Sequence, residues 1–322
     1  MDDASQLLLA LTRFVPQRQK AAPASWLEVA RLAPPHGVAP LLAYNLEYRL
    51  AGSGAPQDVR DALLGHYQGA LADNVYKLVN LKKLLAEAPT RRALLLDAAA
   101  LADALYPHIA FRPLGELRIL VQSADLAPFT EAFGRVGFRP RGSVDPLGGQ
   151  HVLSDDRTEI VLHTRLYPEA RQSEEVRLWE RAVPHRAYGE NAVRPALEDA
   201  LLSAVLLLAR RGFDAPLLHL IDLRELVRGS PDLAGPYSRP ADAGLVRERA
   251  AALKLERALW VAMEIVAGLF PEVAPRAREL SPALRPATQA LLRPAVIEPA
   301  LDLRRTQTVR GASRMRVLLS GG

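Results

Sequence analysis

The chain has no cysteine, and that alone excludes disulfide staples and thiolate-held zinc. Aromatic residues are scarce, at 6%, and the basic residues are scattered. This is poor material for stacking bases, so nucleic acid is not expected as a partner. Long apolar runs are missing too. The longest, from Ala200 to Ala209, is closed in by Glu198-Asp199 and Arg210-Arg211, far short of the roughly 20 residues of a membrane span. The stretch around Trp260 is interrupted by Glu264. The opening Met1-Asp2-Asp3-Ala4 lacks the basic region of a secretory signal. A soluble, cytoplasmic chain without a membrane partner is the expectation. Familiar catalytic signatures are absent as well: no Gly-x-x-x-x-Gly-Lys-Ser/Thr, no Gly-x-Gly-x-x-Gly and no Gly-x-Ser-x-Gly. The histidines, at 36, 66, 108, 151, 163, 185 and 219, include no His-x-x-x-His pair, so no helical zinc site is expected.

What remains is ordinary globular material: 322 residues, 49% hydrophobic and 24% charged, enough for a sizeable core. Lysine stands only at 20, 77, 82, 83 and 254, so the formal charge of +5 rests mostly on arginine. Such a balance can favour phosphate-bearing partners, but a solvated, slightly basic surface is the better-supported reading.

Three zones follow one another. The first, 1–88, reads as helical. Ser25-Trp26-Leu27-Glu28 has capping-box spacing and predicts a helix start; Pro34-Pro35 stops that helix and Pro40 opens another. From Gln57 to Glu87 the apolar residues Val59, Leu63, Tyr67, Leu71, Val75, Leu78, Leu81 and Leu85 keep a period of about 3.6. That predicts one long helix, ended by Pro89. The second zone, 89–195, alternates. A strand is predicted over 93–96, a helix over 98–106, a strand over 116–121, a helix over 125–136 capped by Ser123, and a hairpin of 150–154 with 158–165. The alternation predicts an α/β (α+β) core with a small mixed sheet. The third zone, 196–300, returns to helices, over 201–210, 217–227, 241–270 and 282–292, with a Pro/Gly-rich connection over 229–240. Residues 301–322 form a basic tail carrying Arg304, Arg305, Arg310, Arg314 and Arg316. Such a tail binds phosphates or simply frays.

One constellation carries chemistry. Leu94-Leu95-Leu96-Asp97-Ala98 leads through Tyr106-Pro107 to Arg112-Pro113-Leu114-Gly115-Glu116-Leu117-Arg118-Ile119-Leu120-Val121. This stretch resembles a bacterial family of uncharacterised nucleotidyltransferases, distant relatives of the polymerase-β superfamily. The family pattern runs Leu-Leu-Lys-Gly, then Tyr-Pro, then Arg-Pro-Met-Gly-Asp-Ile-Asp-Leu-Leu-Val. His36-Gly37-Val38-Ala39-Pro40-Leu41-Leu42, Asn74, Leu162-His163, Trp179-Glu180-Arg181-Ala182 and Leu220-Ile221-Asp222-Leu223 are similar to further elements of it. The resemblance runs from about residue 25 to 275.

The resemblance implies a nucleotidyltransferase-like core, flanked by helices, that handles Mg²⁺ and a nucleoside triphosphate. Two carboxylates two residues apart on a strand share a face; with a third from a neighbouring strand they hold the metal against the triphosphate. Here the pattern is broken. Its first Asp is Glu116 and its second is Arg118; the third acidic position falls at Val161, and the Lys-Gly pair is Asp97-Ala98. A permanent cation at 118 repels a metal instead of binding it. Glu116 is the candidate catalytic residue. Asp97, Arg112, Gly115, Arg118, Glu159 and His163 are the candidate ligand-binding residues.

The exchanges to Asp97 and Arg118 are reciprocal in sign. They make either a structural ion pair or a repurposed pocket in which Arg118, helped by Arg112, meets an anion. Three functions stay open. The first is a binding or scaffold protein that has lost nucleotidyl transfer and takes a phosphorylated ligand or a protein partner. The second is an active transferase in which Glu116 recruits a metal with Glu159, Asp155 or Asp156, acting on a peptide natural product. The third is a helical protein-interaction module.

Overall fold

The computed structural model describes residues 1–18, 21–50, 52–141, 150–229, 235 and 237–304. Most of the predicted basic tail and much of the 229–240 connection lie outside the described residues.

The chain opens with helices α1 (Asp3–Leu11), α2 (Pro23–Leu32), α3 (Ala39–Tyr44) and α4 (Gln57–Ala86). Asp2 caps α1 by accepting from the Ser5 amide at 2.9 Å. The predicted Ser25 cap is not used. Pro23 takes the first turn of α2, whose preset backbone needs no amide donor, and Glu28 pairs with Arg31 at 2.7 Å instead. The long helix α4 ends within one residue of its expected limits.

The middle of the chain forms one mixed sheet. Its strands are β1 (Ala93–Leu96), β2 (Leu117–Leu120), β3 (Arg139–Pro140), β4 (Gln150–Ser154), β5 (Glu159–His163), β6 (Val183–Pro184) and β7 (Ala192–Arg194). The spatial order is β3-β4-β5-β2-β1-β7-β6. Helices α5 (Asp97–Leu101), α6 (Leu126–Arg135) and α7 (Gln172–Arg181) are interleaved with these strands. The sheet confirms the α+β expectation of a nucleotidyltransferase-like core with helical flanks. The helix predicted over 98–106 stops at Leu101, because the chain turns there to carry Leu105 and Tyr106 into the helical core. Ser123 opens a short 3-10 turn and makes no side-chain cap, so α6 begins three residues later.

Alternation along the strands sorts residues to two faces. Ala93, Leu95, Leu117, Ile119, Ile160 and Leu162 pack with Leu81 and Leu85 of α4 and with Phe129 and Phe133 of α6. The opposite face carries Leu94, Leu96, Leu120 and Val193, covered by Leu178 and Trp179 of α7 and by Leu166 and Tyr167.

Beyond the sheet come α8 (Leu197–Arg210), α9 (Leu217–Arg228), α10 (Ala243–Leu253), α11 (Glu256–Leu269), α12 (Ala274–Leu280) and α13 (Pro286–Leu292). The single helix predicted over 241–270 is two, broken at Lys254, which adopts a left-handed backbone at φ 55°. The flanking helical zones share one core: Leu8, Leu41 and Leu42 pack in the same cluster as Leu201, Ile221 and Val261. Among the described residues no helix is long and apolar enough to cross a membrane.

Candidate functional site

The site forms where β1 ends and β2 begins. The two strands run antiparallel with Leu96 opposite Arg118, and β5 runs parallel to β2 with Val161 opposite Arg118. Side chains at paired positions share a face, so 118 and 161 project together, and 116 follows 118 by the two-residue period. This chain presents a carboxylate, a guanidinium and an isopropyl group.

Asp97 directly follows β1 and opens α5. Its φ is 47°, in the left-handed region that an Asp tolerates at a cost of about 1 kcal/mol. The sharp turn brings its carboxylate back to Arg118, whose Nε lies 3.8 Å from Asp97 Oδ2. The expected Asp97–Arg118 pair is therefore present, but it is not the tightest contact. Arg118 Nε donates to Glu116 Oε1 at 2.8 Å, and Nη2 donates to the same oxygen. The guanidinium thus sits between two carboxylates. Burial works against its charge, and Asp97 and Glu116 more than restore it, raising its pKa above the ordinary arginine value.

Those carboxylates are the side chains a metal would need. The residues do not fit one: the space between them holds a permanent cation, the third position is Val161, and no group of three metal-binding side chains exists among the described residues. Glu159 does not complete the set. It stands one residue before the Leu117–Ile160 pair, and its carboxylate lies 3.7 Å from Arg141. Asp155 accepts from Tyr76 Oη and from the amides of the following turn, and Asp156 pairs with Arg141 at 2.7 Å.

On its buried side Arg118 opens onto a narrow cleft, partly continuous with solvent, lined by Leu96, Asp97, Arg118, His163, Leu166, Ser203, Leu206, Leu207 and Arg210. His163 follows Val161 by two residues on β5, so it faces the same side as Arg118. It is 1% exposed, and its Nε2 has no hydrogen-bond partner. Burial first, then the charges of Arg118 and Arg210, hold its pKa down to about 3, so the ring is neutral near pH 7. Arg210 also donates to the Leu166 carbonyl. Next to it, burial and the charge of Arg118 lower the pKa of Arg211.

Glu159 and His163 share a face of β5, as expected, but stand four residues apart, about 13 Å along the strand, and only His163 reaches the cleft. Gly115 is exposed, and a Cβ there would meet nothing within 4 Å. Arg112 is not beside Arg118. It is buried at 3% exposure and donates from Nε and Nη2 to the two oxygens of Asp222, at 3.1 and 2.7 Å. Its charge is held by α9 and does not face the cleft.

Asn74 on α4 holds the segment that enters β2. Its Nδ2 donates to the carbonyls of Ile109 and Arg112, at 2.5 and 2.8 Å, and its Oδ1 accepts from the Leu114 amide at 2.9 Å. Lys77, one turn further, donates to the Leu114 carbonyl at 2.5 Å. Asn74→Ala strands three buried backbone groups at roughly 1 kcal/mol or more each. The expected loss is about 3 kcal/mol in urea unfolding. A loss under about 1 kcal/mol would mean that the segment holds its own shape.

Sequence reasoning missed Ser203, Arg210 and Arg211. Arg210-Arg211 were visible as the charged end of the apolar run, but nothing local says that the end of α8 lies over β2 and β5.

A model of the family described as uncharacterised nucleotidyltransferase matches residues 22–271, well over half of the chain. No curated protein and no solved structure matches.

Proposed function

The chain belongs to this family of uncharacterised nucleotidyltransferases, and we propose that it has given up ordinary metal-dependent nucleotidyl transfer and works by binding. The observation that carries this reading is the Arg118 guanidinium between Glu116 and Asp97. A built-in charge pairs with both carboxylates and permanently occupies the space between them. Val161 opposite Arg118 removes the third ligand in the same stroke.

The polar residues that line the cleft are Arg118 and Arg210, with Asp97, Ser203 and the neutral His163. That equipment suits an anionic, phosphorylated ligand better than a metal–triphosphate complex. The reading makes the chain a nucleotidyltransferase-like binding or scaffold protein.

Calorimetric titration of ATP and of GTP, each with and without Mg²⁺, tests it. No saturable Mg²⁺-dependent binding at micromolar concentrations is expected. Micromolar binding that requires Mg²⁺ and disappears in Glu116→Ala would restore the transferase reading.

A further inference from the structure

The apolar period of α4 predicts one continuous buried face, and the structure buries only its two ends. Val59 and Leu63 enter the helical core, and Leu81, Leu84 and Leu85 enter the core under the sheet. Between them, from residue 64 to residue 73, no side chain is fully buried. Leu64 and Leu71 are half-buried and join none of the hydrophobic clusters of the described residues. Val75 and Val79, one turn apart, are 44% and 48% exposed. On a helix of 3.6 residues per turn these four fall on one side, together with the exposed Ala72. Apolar side chains exposed singly are ordinary; a contiguous face of them marks a surface that another element covers. Leu64, Leu71 and Leu78 also recur every seven residues, the spacing with which two helices pack side by side.

The charges on this side identify the cover. Asp58 and Asp61 stand at the N-terminal end of the face, and Lys82 and Lys83 at its other end, all four exposed. Among the described residues none of the four makes an ion pair; Asp61 accepts a hydrogen bond from Gln57 Nε2 at 2.8 Å. A face that is acidic at one end and basic at the other is complementary to a reversed copy of itself, which is the requirement of a two-fold interface. A two-fold axis between Leu71 and Ala72 sets Asp61 opposite Lys82 and Leu64 opposite Val79, and the symmetry repeats each pair. A parallel pairing would bring like charges together at both ends, which is unfavourable.

We propose that α4 carries a self-association surface: two copies of this chain pair through residues 61–82 of the helix, antiparallel, with the apolar middle closed between the charged ends. Nothing in the Arg118 site enters this inference, so it stands or falls apart from the binding role proposed above.

Sedimentation velocity of the full chain over a concentration series tests it. A reversible dimer with a micromolar dissociation constant is expected, since one helix per copy buries less than a standard interface. Val75→Glu places a charge in the apolar middle twice per dimer and is expected to weaken association by at least about 100-fold. Lys82→Glu is expected to weaken it by about 10-fold, and adding Asp61→Lys to that variant to restore it to within about threefold of the parent. A merely structural role for either residue would give no such rescue. The orientation is read by single cysteines, which the cysteine-free chain makes unambiguous. Ala72→Cys, beside the axis, is expected to give a covalent dimer with a short bismaleimide. Ala86→Cys lies roughly 22 Å along the helix from the axis, so the two thiols are about 44 Å apart and no cross-link is expected.

A chain that stays monomeric up to about 200 μM overturns the proposal and leaves the face to a different protein. A dimer indifferent to Val75→Glu, or a charge exchange that fails to restore association, overturns it by placing the contact elsewhere. Cross-linking at 86 as well as at 72 contradicts the antiparallel arrangement. If Val75→Glu fails to fold by circular dichroism, the charge exchange at 61 and 82, both exposed, decides.

Discussion

Arg118→Asp is expected to give the chain a divalent-cation affinity that the unaltered protein lacks. The substitution removes the guanidinium from between Glu116 and Asp97 and places a third carboxylate on the same sheet face as position 116. Local charge changes by two units. Without a counter-ion the three carboxylates repel one another, so the variant should unfold at a lower temperature than its parent. Mn²⁺ or Mg²⁺ would relieve that repulsion, because hard cations are held by clustered carboxylate oxygens. A cation at about 100 times its dissociation constant stabilises the folded state by roughly 2.7 kcal/mol, which is several degrees of melting temperature for a chain of this size. The unaltered protein and Arg118→Lys, which both keep the internal cation, should show no such shift at matched ionic strength. Adding Val161→Asp should strengthen binding further, since 161 is level with 118 on the neighbouring strand. If Mn²⁺ stabilises Arg118→Asp no more than it stabilises the parent, Arg118 is not standing in for a metal.

The second large effect concerns Asp222. It is buried, accepts both donors of Arg112, and accepts the Tyr106 hydroxyl at 2.6 Å. Asp222→Ala leaves the Arg112 guanidinium as an uncompensated charge at 3% side-chain exposure, for which the expected loss is about 3–5 kcal/mol, or roughly 4–7 °C in thermal unfolding. The paired replacement Arg112→Met with Asp222→Leu should recover most of that loss, because it removes the desolvated charges together. Burial by itself would raise the Asp222 pKa; Arg112 and His219 outweigh it and bring the value to about 2, below the ordinary 3.8. The folded-state value is depressed, so the stabilisation is complete above about pH 4 and is lost as pH falls toward 2. Asp222→Ala should flatten stability over that window. A variant whose acid limb matches the parent would show that Asp222 is not the group being titrated.

This buried pair also explains what the sequence could and could not disclose. Leu220-Ile221-Asp222-Leu223 and Arg112-Pro113 were both visible as pieces of the family pattern, but nothing in either says that they meet. The long α4 was legible because its apolar residues hold one period across its length, and β1 because a four-residue apolar run has few other uses. The strands β6 and β7, of two and three residues, are too short to show any period. The division of 241–270 at Lys254 has no Gly or Pro to announce it.

At the site, Glu116, Arg118, Val161 and the counter-charge at Asp97 were readable residue by residue. The closer partner of Arg118 proved to be Glu116, two residues away on its own strand. Charge reciprocity points across strands and is blind to a side chain that folds back along its own. The cationic contribution of α8 and the withdrawal of Arg112 from the cleft are tertiary facts, set by how the helices dock on the sheet.

The most direct test of the claim that Arg118 replaces a metal is a Mn²⁺ titration of the unaltered protein, followed by the electron paramagnetic resonance signal of the free hydrated ion. With the guanidinium between Glu116 and Asp97, the free-ion signal should rise in proportion to added Mn²⁺ up to millimolar concentrations, as it does in buffer. A saturable loss of that signal, with about one ion held per chain and abolished by Glu116→Ala, would contradict the account.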